Sequence, residues 1–141
     1  MTTTTTMTAD DEKRIHALWD AMAGAWAAGD APSFAANFSQ TCDFTTVRGE
    51  KPPGRDGIAA GHDRLFRTAY RDTTLRARVT GIRPLRPGLA AVNAESTIVG
   101  ADGTPLASTH ALAIVERTAA TDAWHITAFH NMVPVAPAGD R

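Results

Sequence analysis

Two histidines, His130 and His62, have the clearest capacity for acid/base chemistry in this sequence, because an imidazole takes up and releases a proton near neutral pH. His130 lies in the run W-H-I-T-A-F-H-N, residues 124–131. Strict alternation puts Trp124, Ile126, Ala128 and His130 on one strand face and His125, Thr127, Phe129 and Asn131 on the other. His130 then stands on an apolar wall, either as a proton carrier or as a partly buried histidine satisfied by backbone partners, and Asn131 takes a structural or dimer role. His62 falls in a helical apolar stripe, where it is either a hydrogen-bonded core histidine or a second acid/base group. Glu95 shares a strand face with Ala91, Asn93 and Thr97. Facing inward, Glu95 would be a further acid/base group and Asn93 would orient a substrate; facing outward, Glu95 is a solvated strand residue, the favoured reading for an unpaired charge. His110 shares its face with Leu112, Ile114 and Glu116, and its direction is open.

Other chemistries lack their residues. The lone cysteine, Cys42, excludes an intrachain disulfide or a thiolate metal cluster and reads as a small buried hydrophobe. No H-E-x-x-H, C-x-x-C, G-x-S-x-G, P-loop or G-x-G-x-x-G pattern occurs, so neither metal, nucleotide nor serine nucleophile is expected. No cofactor is expected, and the chemistry left is proton transfer or templating. A formal net charge of -1 with pI near 6.5, and no basic stripe, argues against nucleic acid. No apolar run has the length of a bilayer span or of a signal peptide, so no membrane is expected and a cytoplasmic location is the expectation.

These groups must be positioned by one domain, since 141 residues with 43% hydrophobic content suffice for one core and not two. From Ala9, Ile15, Leu18, Trp19, Met22 and Trp26 recur at helical spacing up to Gly29, with Thr8 and Asp11 as a capping-box-like start. Asp30 caps a shorter helix with Pro32 in its first turn. Cys42–Val47 reads as a short strand, and a Pro/Gly loop follows. Asp56 is placed as the cap of a third helix carrying Ile58, His62, Leu65, Phe66 and Ala69 on one stripe. After Asp72 the period becomes two, and runs near Leu75–Val79, Leu89–Val99, Ser108–Glu116 and Trp124–Asn131, joined by short turns, predict an antiparallel meander. Helices first and strands after is the α+β pattern. Residues 9–133 form the domain, with flexible tails expected at 1–8 and 134–141.

The order of elements, the T-V-x-G end of the first strand, the G-R-D-G-I-A-A-G-H-D-R-L-F helix start at Gly54–Phe66 and the terminal W-H-I-T-A-F-H-N resemble the nuclear transport factor 2-like superfamily. Within it the chain is similar to the SgcJ/EcaC group, related to SnoaL-type polyketide cyclases and found among enediyne biosynthesis proteins. The resemblance covers roughly residues 10–133, most of this one-domain chain. It implies a curved antiparallel sheet wrapped on N-terminal helices, a cone-shaped barrel with an interior apolar pocket, and a homodimer. Steroid isomerases of the superfamily use an aspartate base near the end of the first strand and a tyrosine on the first helix. Thr46 and Met22 stand at those places here, so their mechanism does not transfer. Fold resemblance leaves the reaction to be argued from the site.

The expectation is a pocket protein acting on a hydrophobic polyketide or polyene by cofactor-free cyclisation or isomerisation. His130 would move the proton, with His62 or Glu95 assisting. Trp19, Met22, Phe44, Thr46, Phe66, Asn93, His110 and Trp124 are the candidate substrate-binding residues. Ala77, Ala111 and Ala113 at alternate strand positions leave room for a cavity. The alternatives are a binder that delivers such an intermediate without converting it, or a dimeric interaction module.

Overall fold

The computed structural model describes residues 7–135. Helix α1, Ala9–Ala28, starts where the Thr8 side chain accepts from the Asp11 N–H and stops at Gly29 in the left-handed conformation. Its stripe Ile15, Leu18, Trp19, Met22 and Trp26 is buried as the spacing predicts. A short helix α2, Ala31–Ala35, turns the chain under the Asp30 cap. Strand β1 then runs Phe38–Thr45, starting earlier than its β-prone core suggests because Phe38 already pairs with Ile126.

Helix α3, Gly54–Arg67, opens two residues before the expected Asp56 cap, with Pro53 at the cap position and no side-chain capping bond. Gly54 permits the sharp entry, for its φ is +61° and a Cβ there would strike the Gln40 carbonyl oxygen. The helix ends before Ala69, and the turn that follows carries Tyr70. Strands β2 (Thr74–Arg86), β3 (Leu89–Val99), β4 (Pro105–Arg117) and β5 (Trp124–Met132) pair sequentially and antiparallel. That is the expected meander. Strand β1 adds parallel to β5, giving the order β1-β5-β4-β3-β2 in a curved sheet that does not close.

Helices α1 and α3 lie against the concave face, α1 on β2 and α3 on β1. Ile15, Phe38, Ile58, Val92, Val115 and Ile126 are fully buried between them. Each contributes about 1.5–3 kcal/mol by leaving water. Met7 packs on this core and Thr8 caps α1, whereas the remainder of the expected N-terminal tail, 1–6, and residues 136–141 of the C-terminal one lie outside the described residues. No described helix is long and apolar enough to cross a membrane.

One irregularity governs the site. On β4 the consecutive residues Ile114 and Val115 pair with Ala128 and Ile126, so Thr127 is an extra residue on β5. Such a bulge shifts the alternation by one. Trp124 and Ile126 point inward before it, and Phe129 and Asn131 point inward after it.

Candidate functional site

A cavity of about 210 Å³ lies between the helices and the concave face of the sheet. The helix wall is built from Met22 and Trp26 of α1, Phe34 of α2, His62 and Leu65 of α3, and Tyr70. Phe44 of β1, Leu75 of β2, Ser96 and Ile98 of β3, Thr109 of β4, and Phe129 and Asn131 of β5 make the sheet wall. The mouth is the turn after β1, with Thr46, Val47, Arg48 and Glu50. The space exists because inward positions beside these residues are small. Ala94 and Ala111 stand in the rung of Asn131, and Ala77 in the rung of Ser96 and Thr109.

His62 sits in the third turn of α3, where its imidazole meets Phe34 at 4.3 Å and Phe44, Trp26 and Phe66 at 5.8–6.0 Å between ring centroids. Its Nδ1 lies 2.8 Å from the Ile58 carbonyl oxygen. An imidazole nitrogen bonded to a carbonyl carries the proton, so Nε2 holds the lone pair. Burial among rings lowers the His62 pKa, and the Ile58 bond opposes this less strongly. The neutral form therefore prevails at neutral pH. Nε2 has no protein partner among the described residues and is not sealed off, so it is a base open to the cavity.

Supporting contacts hold this wall in place. Trp26 Nε1 donates to Thr73 Oγ1 at 2.9 Å, and Thr73 Oγ1 donates to the Tyr70 carbonyl at 2.7 Å. That chain fixes the indole and the turn carrying Tyr70 together. At the mouth, Thr46 Oγ1 accepts from the Arg48 and Glu50 N–H groups at 3.3 and 3.0 Å, which shapes the turn. Arg48 and Glu50 are mostly exposed and face one another at 4.0 Å.

Four of the expected site residues line the cavity: His62, Met22, Phe44 and Thr46. His130 does not. It is exposed on the convex face, because the bulge at Thr127 exchanges its place with Asn131. Asn131 is correspondingly a cavity residue, contrary to strict alternation. Glu95, Asn93 and His110 are also on the convex face. Glu95 Oε2 accepts from Arg78 Nη2 at 2.7 Å, and this bond holds its carboxyl below the ordinary range; His110 Nε2 lies 3.7 Å from its other oxygen. The direction left open for Glu95 and His110 is therefore outward. Trp19, Phe66 and Trp124 are buried in the core and off the cavity wall, with Arg117 over the Trp124 ring at 5.8 Å.

Sequence reasoning missed Trp26, Phe34, Tyr70, Ser96, Thr109, Phe129 and Asn131 as cavity residues. The inward set Ser96 and Thr109 could be found from the position of Ala77 and Ala111 in the same pleat, whereas Phe129 and Asn131 required the bulge. Cys42 is buried as expected, and burial followed by the Asp43 charge pushes its thiol up to about 12, so it is not a nucleophile.

No family model and no curated protein matches the sequence. Among solved structures, the chain is similar to a domain of unknown function with a cystatin-like fold from Nostoc punctiforme, with 28% identity and a TM-score of 0.86 over 95% of this chain and 83% of that one. It is similar to an NTF-2 like protein of unknown function from Shewanella oneidensis (20% identity, TM-score 0.73, 86% and 98% covered). A ketosteroid isomerase-like protein from Erwinia carotovora atroseptica also superposes (17% identity, TM-score 0.72, 92% and 100% covered). The chain thus has the nuclear transport factor 2-like, or cystatin-like, fold, with its pocket between the helices and the sheet.

Proposed function

We propose that this protein binds a small hydrophobic molecule of polyketide type in the cavity and isomerises or cyclises it by proton transfer, with His62 as the base. The observation that carries this reading is the His62 Nε2 lone pair, the one imidazole nitrogen among the described residues that faces the cavity with its tautomer fixed by a backbone carbonyl. Burial keeps it neutral and ready to accept a proton, and the surrounding rings exclude water from the reacting group. The general base is thus on α3, and His130 and Glu95 serve the convex face. An Erwinia structure described as ketosteroid isomerase-like supports a proton-transfer reading of the same fold.

The convex face offers Leu112 and Met132, each about half exposed at 50% and 52%, beside His130 and the Arg78–Glu95–His110 group. A second copy of the chain is its partner in this reading, which leaves the cavity unobstructed on the other side of the sheet.

Native mass spectrometry with extract of the producing cells tests the function. The parent should retain one small ligand and convert it, and His62→Gln should retain the same ligand unconverted. Equal conversion by both would remove His62 from the chemistry. A second reading, a binder that delivers its ligand unchanged, is favoured by one observation: no carboxylate or second imidazole lines the cavity interior beside His62 and Tyr70, Arg48 and Glu50 being at the mouth. Retention without conversion by the parent would establish it.

A further inference from the structure

The two walls of the cavity differ in hydrogen-bonding character, and this difference specifies the ligand. On the helix wall, neutral His62 offers an acceptor, Nε2, and the other polar side chain is Tyr70, whose hydroxyl makes no hydrogen bond among the described residues. On the sheet wall, Asn131, Thr109 and Ser96 lie on adjacent strands β5, β4 and β3, with Thr109 and Ser96 directly paired and Asn131 in the next rung opposite Ala111. None of the three side chains makes a hydrogen bond among the described residues. Asn131 Oδ1 is sealed in protein, which leaves the Nδ2 amide as the end that can reach the cavity. An amide N–H and two hydroxyls make this wall a donor set.

Between these walls the lining is apolar, from Met22, Trp26, Phe34, Phe44, Ile98 and Phe129. The charges nearest the cavity, Arg48 and Glu50, are of opposite sign and stay in solvent at the mouth. A carboxylate inside would lose its hydration with only neutral donors to replace it. Size sets the second limit. An apolar cavity of about 150 Å³ holds benzene, so the 210 Å³ here fits a one- or two-ring molecule, and a longer chain would have to leave through the mouth.

We infer that the ligand is a neutral carbonyl compound of one or two rings, held with its carbonyl oxygen on Asn131, Thr109 and Ser96 and with the carbon next to the carbonyl facing His62 Nε2. The inference rests on the proton-transfer reading above and adds to it the substrate class and three specificity residues. In the step it describes, the C–H bond next to the carbonyl breaks and its proton goes to Nε2. The bonding pair forms a carbon–carbon double bond, and the carbonyl π pair moves to oxygen, where the sheet-wall donors receive the charge. The imidazolium returns the proton to carbon, and no oxidant, reductant or co-reactant is consumed.

The test uses three probes of one shape: tetralin, 1-tetralone and 1-naphthoate. Binding is read by quenching of tryptophan fluorescence, Trp26 being in the wall, and deuterium uptake at C2 of 1-tetralone is read by NMR. The parent should bind 1-tetralone and discriminate against 1-naphthoate. Asn131→Leu should weaken 1-tetralone about tenfold, the scale of one lost hydrogen bond, with tetralin unchanged or tighter. Thr109→Val and Ser96→Ala should each act the same way by a smaller factor, and they serve if Asn131→Leu fails to fold. Deuterium uptake should be lost in His62→Gln while 1-tetralone still binds. If the sheet-wall variants bind both neutral probes as the parent does, or if 1-naphthoate binds tightest, the inference is overturned while the pocket survives. If tetralin and 1-tetralone both fail to bind the parent, the pocket reading falls with it. Binding of 1-tetralone with equal deuterium uptake by parent and His62→Gln removes the base and leaves the donor wall standing.

Discussion

At the residue scale, His62 ties stability to pH. Its folded pKa is lowered by burial from the ordinary 6.5, so below that value the unfolded chain takes up a proton that the folded chain resists. The contribution of the neutral ring is complete above pH 6.5 and is lost as pH falls from there through the folded pKa. Urea titrations should show stability falling across this window in the parent, and His62→Gln should flatten that part of the profile. The same lowering extends the base form to more acidic pH, so the acid limb of any turnover profile should lie below 6.5 and vanish with the ring. Thr73 makes a different point. Replacing it with Val leaves the Trp26 indole N–H buried without a partner, and chemical denaturation should register a loss of about 1–3 kcal/mol. A loss under 0.5 kcal/mol would mean that water takes over the bond.

At the scale of elements, α3 is delivered to the cavity by a single glycine. Gly54→Ala should cost about 1–3 kcal/mol in urea unfolding, since the residue needs positive φ and its Cβ meets the Gln40 carbonyl. The same element shows where sequence reasoning succeeds. The stripes of α1 and α3 repeat regularly, so the burial of Trp19 and Ile58 and the inward position of His62 follow from periodicity alone. The meander is equally legible, because Gly-containing turns at 88 and 103 and the 118–122 turn separate clean alternations. What periodicity does not carry is a change of phase within one strand. Thr127 has no turn chemistry, no glycine and no charge to mark it, and its bulge shows only in the register of β4 against β5. Strict alternation therefore exchanges the faces of His130 and Asn131, and the imidazole on the cavity wall is that of a helix, His62, in place of a strand histidine. Deleting Thr127 should remove the extra residue and leave Phe129 and Asn131 inward opposite Ala113 and Ala111, so the urea-unfolding midpoint should shift little; a loss above about 3 kcal/mol, the scale of emptying a buried aromatic position, would show that the bulge is needed to hold the wall.

At the scale of the molecule, the two faces of the sheet serve different purposes. The concave face encloses the cavity, and the convex face presents Leu112, Met132, His130 and the Arg78–Glu95 pair to solvent. If that face joins two copies, Leu112→Arg combined with Met132→Arg should sediment as monomer and still bind 1-tetralone. Unchanged sedimentation of a dimeric parent and variant would move the interface elsewhere. The separation also explains why Glu95, His110 and His130, three titratable groups close to one another in the sheet, are remote from the chemistry proposed at His62.

The parallel pairing of β1 with β5 carries a consequence for how the chain is made. Strand β5 lies between β1 and β4, yet of the described strands it is the last to be synthesised. Until it emerges, β1 has no neighbour in the sheet, and the wall holding Phe129 and Asn131 does not exist. The cavity is thus the product of a long-range closure that joins the two ends of the domain, with the high contact order and slow assembly such pairings bring. A nascent chain stalled before Trp124 should be protease-sensitive throughout and take up no ligand, and release of the last strand should confer protection and binding in one step.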